Sequence, residues 1–115
     1  MLPQGKVKMI HELKTKIKME IRPVSKGTEY LEAVINREDL ELVDSILTKH
    51  LGPAAKMAGK RSDLPHDMQK FVDSMGGLRP EQSFYYKQAE GKTTYCALWP
   101  WQTNPGKITL KAGTL

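Results

Sequence analysis

Three observations predict an α+β domain for this 115-residue chain. Alternating apolar and polar residues mark strand-like runs near both ends, at Leu13–Ile21, Tyr30–Ile35 and 83–111. Between them, Leu40, Val43, Ile46, Leu47 and Leu51 recur with helical spacing, and Leu64, Met68, Phe71, Val72 and Met75 do so again. Gly, Pro and Asn then divide the last third into three short runs. The element order is ββ-αα-βββ after a short N-terminal helix. It predicts a two-layer fold, a five-stranded antiparallel sheet with two main helices on one face.

Residues 1–5 contain Pro3 and Gly5 and are expected to be disordered. Residues 6–22 fit two patterns. Val7, Ile10, Leu13, Ile17 and Ile21 form a helical stripe, whereas Leu13, Thr15, Ile17, Met19 and Ile21 form a strand face. Met19 would sit opposite the stripe on a helix, and Thr15, Ile17 and Ile21 are β-branched. The reading adopted is a helix over about 5–12 and a strand over about 14–23, with Pro23 ending the strand or marking an edge position. Ser25-Lys26-Gly27-Thr28 makes a turn, and Tyr30 to Ile35 returns as the second strand.

Asn36 is placed to cap a helix from Arg37, with Glu38 and Asp39 in its first turn and Gly52-Pro53 as its stop. After a connector over 53–61, Asp63 is placed to cap the second main helix and Gly76-Gly77 to end it. Ser83–Ala89 and Thr93–Trp99 flank a Glu90-Gly91-Lys92 turn, and Lys107–Lys111 follows Asn104-Pro105-Gly106.

One domain accounts for residues 1–115, and a chain of this size buries enough surface to fold without a metal or disulfide staple. A hydrophobic content of 39% with 27% charged residues is that of a globular protein rather than a disordered one. Cys96 is the sole cysteine, which excludes an internal disulfide and fits a reducing compartment. No apolar run is long enough to span a membrane and no secretory leader is evident, so the expected location is cytoplasmic, with no membrane partner.

Charge is unevenly spread. Residues 1–28 hold seven basic side chains against Glu12 and Glu20, and so carry the entire formal charge of +5. That balance permits an anionic partner. It is also within the range of ordinary solvated surfaces.

Motifs for catalysis are absent. Residues 52–62 superficially look like a phosphate-binding loop, but six residues separate Gly52 from Gly59, and Arg61 divides Lys60 from Ser62. His11, His50 and His66 do not pair at ligand spacing with one another or with Cys96, so no metal or cofactor is expected. His50 projects onto the apolar stripe of its helix near the C-terminus, where a structural role is favoured. A cleft beside it would be the first sign of an enzyme. Glu38, Asp39, Glu41 and Asp44 read as a solvated helix face, and Cys96 as a small buried hydrophobe.

Six of the eight aromatic residues lie in 84–101. Strand alternation puts Phe84, Tyr86, Cys96, Leu98, Ile108 and Leu110 on the core face, and Tyr85, Lys87, Tyr95, Trp99, Lys107 and Lys111 on the other. Lys14, Lys16 and Lys18 would share that outer face if their segment is a strand. Lys14, Lys16, Lys18, Tyr85, Tyr95 and Trp99 are therefore the candidate binding residues. Three readings of that face compete: a binding or adaptor module for a protein partner, a second copy or a small ligand; a single-stranded nucleic-acid-binding domain; and a plain solvated face. An enzyme of unknown class is a further alternative for the chain, for which no catalytic motif speaks. The element order resembles that of PAS and profilin-like sensory or adaptor domains. That resemblance implies a ligand held between sheet and helices, or dimerisation through the sheet, and no residue role is carried over from it.

Overall fold

An apolar stripe runs through Met9, Ile10, Leu13 and Ile17, all at most 3% exposed, and it fixes how the chain begins. Met9 and Ile10 are adjacent. A helix turns adjacent side chains by about 100° and can bury both against one wall, whereas a strand sends them to opposite faces. The segment is accordingly helix α1, Gln4–Lys16. It reaches four residues beyond the expected end, and the expected strand over 14–23 contracts to β1, Met19–Ile21. Met19 belongs to that strand and never constrained residues 13–17. In this computed structural model residues 4–26, 30–56, 64–74, 82–89, 91–104 and 106–114 are described.

The remaining elements are β2 (Tyr30–Asn36), a single 3₁₀ turn (Arg37–Asp39), α2 (Leu40–Leu51), α3 (His66–Ser74), β3 (Ser83–Ala89), β4 (Lys92–Pro100) and β5 (Lys107–Thr114). The α+β class is as expected, with a fully antiparallel five-stranded sheet in the order β1-β2-β5-β4-β3. α2 ends where Gly52 adopts φ +87°, and its N–H donates to the Thr48 carbonyl at 2.9 Å. Asn36 has the extended backbone of a cap but its side chain does not cap. Its Oδ1 instead accepts from Lys107 Nζ at 2.8 Å. The expected cap Asp63 and the expected stop at Gly76-Gly77 lie outside the described residues.

One sheet face carries Leu31, Ala33 and Ile35 from β2, Ile108, Leu110 and Ala112 from β5, Cys96 and Leu98 from β4, and Tyr85 from β3. The α1 stripe and Val43, Ile46, Leu47 and Leu51 of α2 close over it as one cluster. Two helices thus share one face, and they are α1 and α2. α3 lies across part of the opposite, outer face. There Met68 and Val72 pack on Phe84, Tyr95 and Ala97.

The β3–β4 hairpin differs from expectation by one residue. Ala89 pairs with Lys92, so two residues separate the strands where three were expected. Gly91, at φ +74°, adopts the left-handed backbone that such a tight connection requires. A one-residue shift of register exchanges the faces of a whole strand. Tyr85 therefore pairs with Cys96 and faces α2, while Phe84 and Tyr86 turn outward beside Ala97 and Tyr95. The expected sharing of a face by Tyr85, Tyr95 and Trp99 is corrected to Phe84, Tyr86, Tyr95 and Trp99.

Both sheet edges are limited. β1 is three residues long, which leaves little free backbone for pairing. At the other edge Phe84 exchanges backbone hydrogen bonds with Lys56, a residue 2% exposed whose ammonium donates to the Gln82 carbonyl at 2.6 Å.

Candidate functional site

The outer sheet face is divided by α3. Under it, Phe71 meets Tyr95 nearly edge-on at 4.9 Å between ring centroids, and Phe84 lies 6.3 Å from Tyr95 and 5.9 Å from Tyr86. These spacings are those of favourable aromatic packing in a core. Tyr95 is buried there, and burial pushes its phenol pKa up. Tyr85 is buried on the inner face, where its hydroxyl donates to Asp44 Oδ1 of α2. Burial, then that hydrogen bond and the carboxylate charge, push its phenol pKa up as well. Both tyrosines hold layers together.

Beyond α3, the outer face of β2, β5 and the end of β4 carries a linked polar and aromatic surface. Trp99 is half-buried, and Lys111 Nζ sits 4.5 Å from its ring centroid. The same ammonium is 3.9 Å from Glu32 Oε1, which accepts from the Tyr30 hydroxyl at 2.8 Å. Trp101, also half-buried, donates from Nε1 to Thr109 Oγ1 at 2.8 Å. Pro100 continues β4 opposite Ile108, so Trp99 stays on the sheet, while Trp101 N–H closes the following loop on the Lys107 carbonyl at 3.0 Å. Trp99, Lys107 and Lys111 share this face as alternation predicts.

Lys14, Lys16 and Lys18 do not join them. Lys14 and Lys16 are on α1, separated by about 200° around its axis, and Lys18 is exposed between α1 and β1. The alternation of charge that suggested a strand face is two well-separated positions on a helix followed by a residue of the connection to β1. The sequence-predicted lysines thus stand apart from Tyr95 and Trp99, with Lys14 and Lys16 on the helix that covers the inner face and Lys18 in its connection to β1, while Tyr85 is itself on the inner face.

A second arrangement was not legible as a unit in the sequence. Glu12 of α1 is ringed by three cationic or protonatable groups: Lys49 Nζ at 2.7 Å, His50 Nε2 at 2.8 Å and Lys16 Nζ at 2.9 Å. The hydrogen bond from Lys49, then those from His50 and Lys16, lower the Glu12 pKa from its usual 4.5 to about 2. His11 and Thr15 complete the lining of an open groove of about 570 Å³ between the two helices. Thr15 Oγ1 donates to the His11 carbonyl at 2.8 Å. The Glu12–Lys16 pair is an i,i+4 pair readable once α1 continues to Lys16. Lys49 and His50 join it only through tertiary packing, 37 and 38 residues away.

A groove does lie beside His50; among the described residues its lining holds no serine or cysteine, and the Thr15 hydroxyl is engaged by its own helix. Cys96 is fully buried in the core, which pushes its thiol pKa up. Among the described residues no three His, Cys, Asp or Glu side chains are placed to hold a metal ion. No described helix is long and apolar enough to cross a membrane.

Set against known protein families, curated proteins and solved structures, the chain matches none of them. The likeness to PAS and profilin-like domains is therefore one of element order.

Proposed function

We propose that this chain is a binding or adaptor domain whose partner is a protein docking on the outer sheet face at Trp99. The observation that carries the reading is the position of Trp99 at the margin of α3, half-buried, braced by Lys111 and flanked by Trp101. A tryptophan supplies large contact area at little entropic cost and is the residue type most enriched among interface anchors. Lys111 and Lys107 stand beside it, on the side where polar and charged groups are tolerated around an interface core. The matching partner surface presents an apolar group to Trp99 and a carboxylate to the lysines.

Single-stranded nucleic acid is the less favoured occupant. It needs stacked bases and neutralised phosphates on one surface. Here Lys14 and Lys16 are on α1, across the sheet from Trp99, and Lys18 lies in the connection between α1 and β1. An enzymatic reading would have to start from Lys16, Lys49, Glu12 or a histidine of the His50 groove, and Glu12 already engages Lys16, Lys49 and His50.

The test is affinity capture with the purified chain and two variants whose folding is checked by circular dichroism, followed by light scattering on the chain alone. Trp99→Ala should lose a partner that the parent and Tyr86→Phe both retain. A monomer that captures the same proteins with and without Trp99, or whose binding collapses with salt and requires Lys14, Lys16 and Lys18, would refute the reading.

A further inference from the structure

The α1–α2 groove, on the helical side of the sheet and independent of the Trp99 surface, has its own chemistry. Lys16 and Lys49 are 55% and 59% exposed at the side chain, while Glu12 and His50 are 14% and 12% exposed. The carboxylate is thus set into the wall and the two ammonium groups stand out over it. Each ammonium carries three N–H donors and no acceptor, and one carboxylate cannot take all of them. With both histidines neutral, Lys16 and Lys49 outweigh Glu12 by one charge, and protonation of His11 or His50 adds to that excess. Both lysines come from the last turns of their helices, so their ammonium groups complement helix ends and are held close together despite their mutual repulsion.

We propose that this groove is a binding site for the phosphate group of a small phosphorylated molecule, with Lys16 and Lys49 as its anion-binding residues and Glu12 as the internal anion that holds them in place. A phosphate monoester matches the arrangement in charge and in hydrogen bonding. It is close to a dianion at neutral pH, and its three terminal oxygens accept the N–H donors that Glu12 leaves over. The cavity of about 570 Å³ is the size that accommodates a small metabolite. Its open shape leaves both ammonium groups reachable from solvent. His11 and His50 flank the site as further donors in their protonated forms.

Glu12 gives the proposal its distinctive signature. Because the carboxylate competes with a bound phosphate for the same ammonium groups, neutralising it must strengthen phosphate binding even as it loosens the contact between the helices. A merely structural ion cluster would show only the loosening.

The experiment is a titration of the full chain, isotopically labelled, with inorganic phosphate against chloride at constant ionic strength, followed by amide and imidazole chemical shifts. Saturable shifts confined to His11, Thr15, Lys16, Lys49 and His50 are expected. Lys49→Gln and Lys16→Gln, both exposed substitutions that leave the fold intact, should each weaken phosphate about fivefold at this exposure, and Glu12→Gln should tighten it by about the same factor. Shifts that chloride reproduces, that scatter over the surface, or that are indifferent to Lys49→Gln would overturn the proposal. So would a short single-stranded oligonucleotide shifting these residues while inorganic phosphate does not.

Discussion

The extent of α1 is open to a direct test at Leu13 and Thr15. On a strand these residues would share one face and burying one would bury the other. On α1, Leu13 is fully buried between α2 and the sheet, while Thr15 is exposed. Leu13→Ala removes three carbon groups, worth about 2.4 kcal/mol of transfer free energy at about 0.8 kcal/mol each. The residual cavity raises the expected loss to about 3 kcal/mol or more. Thr15→Ala removes a hydroxyl whose only described bond is to the carbonyl one turn back, a contact that tends to bend helices. Alanine has the higher helix propensity, so the change should be neutral to stabilising by about 0.5 kcal/mol. Urea unfolding followed by circular dichroism measures both, and a chain of this size is suited to a two-state treatment. A Thr15→Ala loss comparable to that of Leu13→Ala would refute the helical placement of residues 13–16 and restore the strand reading.

Two further outcomes follow from the buried contacts. In a double-mutant cycle of Tyr85→Phe and Asp44→Asn, unfolding free energies should show a favourable coupling of about 1 kcal/mol, because the phenol donates to a carboxylate that water also reaches; additivity of the two changes would place Tyr85 away from α2. Glu12 predicts an acid limb of stability. Its folded-state pKa of about 2 lies below the usual 4.5, so the pair-derived stability is fully present above pH 4.5 and is lost as pH falls through the range down to about 2. Acid titration of unfolding should show this limb in the parent and a reduced one in Glu12→Gln.

Most of the element order was legible because it rests on local pattern. The α2 stripe, the three C-terminal strands and the alternation that puts Trp99, Lys107 and Lys111 on one face all follow from spacing alone. The errors arose where a short connection decides a longer stretch. Treating residues 13–21 as one element let Met19 outvote the helical stripe, although a turn separates it from Ile17. Counting three residues in the hairpin instead of two exchanged Phe84 and Tyr86 with Tyr85. In the hairpin the period was correct and its phase was not, whereas over residues 14–16 a strand period was read where the helical one holds. The groove around Glu12 lay beyond such reasoning for a different reason. Its charges come from two helices whose mutual packing no local pattern encodes.

The phase of that hairpin has a functional consequence. Had three residues connected β3 and β4, Tyr85 would have joined Trp99 outside and Phe84 would have entered the main core. The two-residue connection instead presents Phe84, Tyr86 and Tyr95 to α3. The apolar face of α3 is made by Met68, Phe71 and Val72, with Leu64 just before the helix, and it finds its matching surface in these outward aromatics. The helix therefore consumes most of the aromatic face, and Trp99 packs half-buried at the margin of the cluster it forms. The proposed partner would then meet the margin at Trp99 and Trp101, with Lys111 over the Trp99 ring. The aromatic richness of residues 84–101 is thus mainly the cost of seating a helix on the second side of the sheet, and in the function proposed above only its last two tryptophans would bear on recognition. If that division holds, substitutions at Phe84 and Tyr95 should act on partner binding through stability alone, and Trp99→Ala should act on binding with the fold preserved.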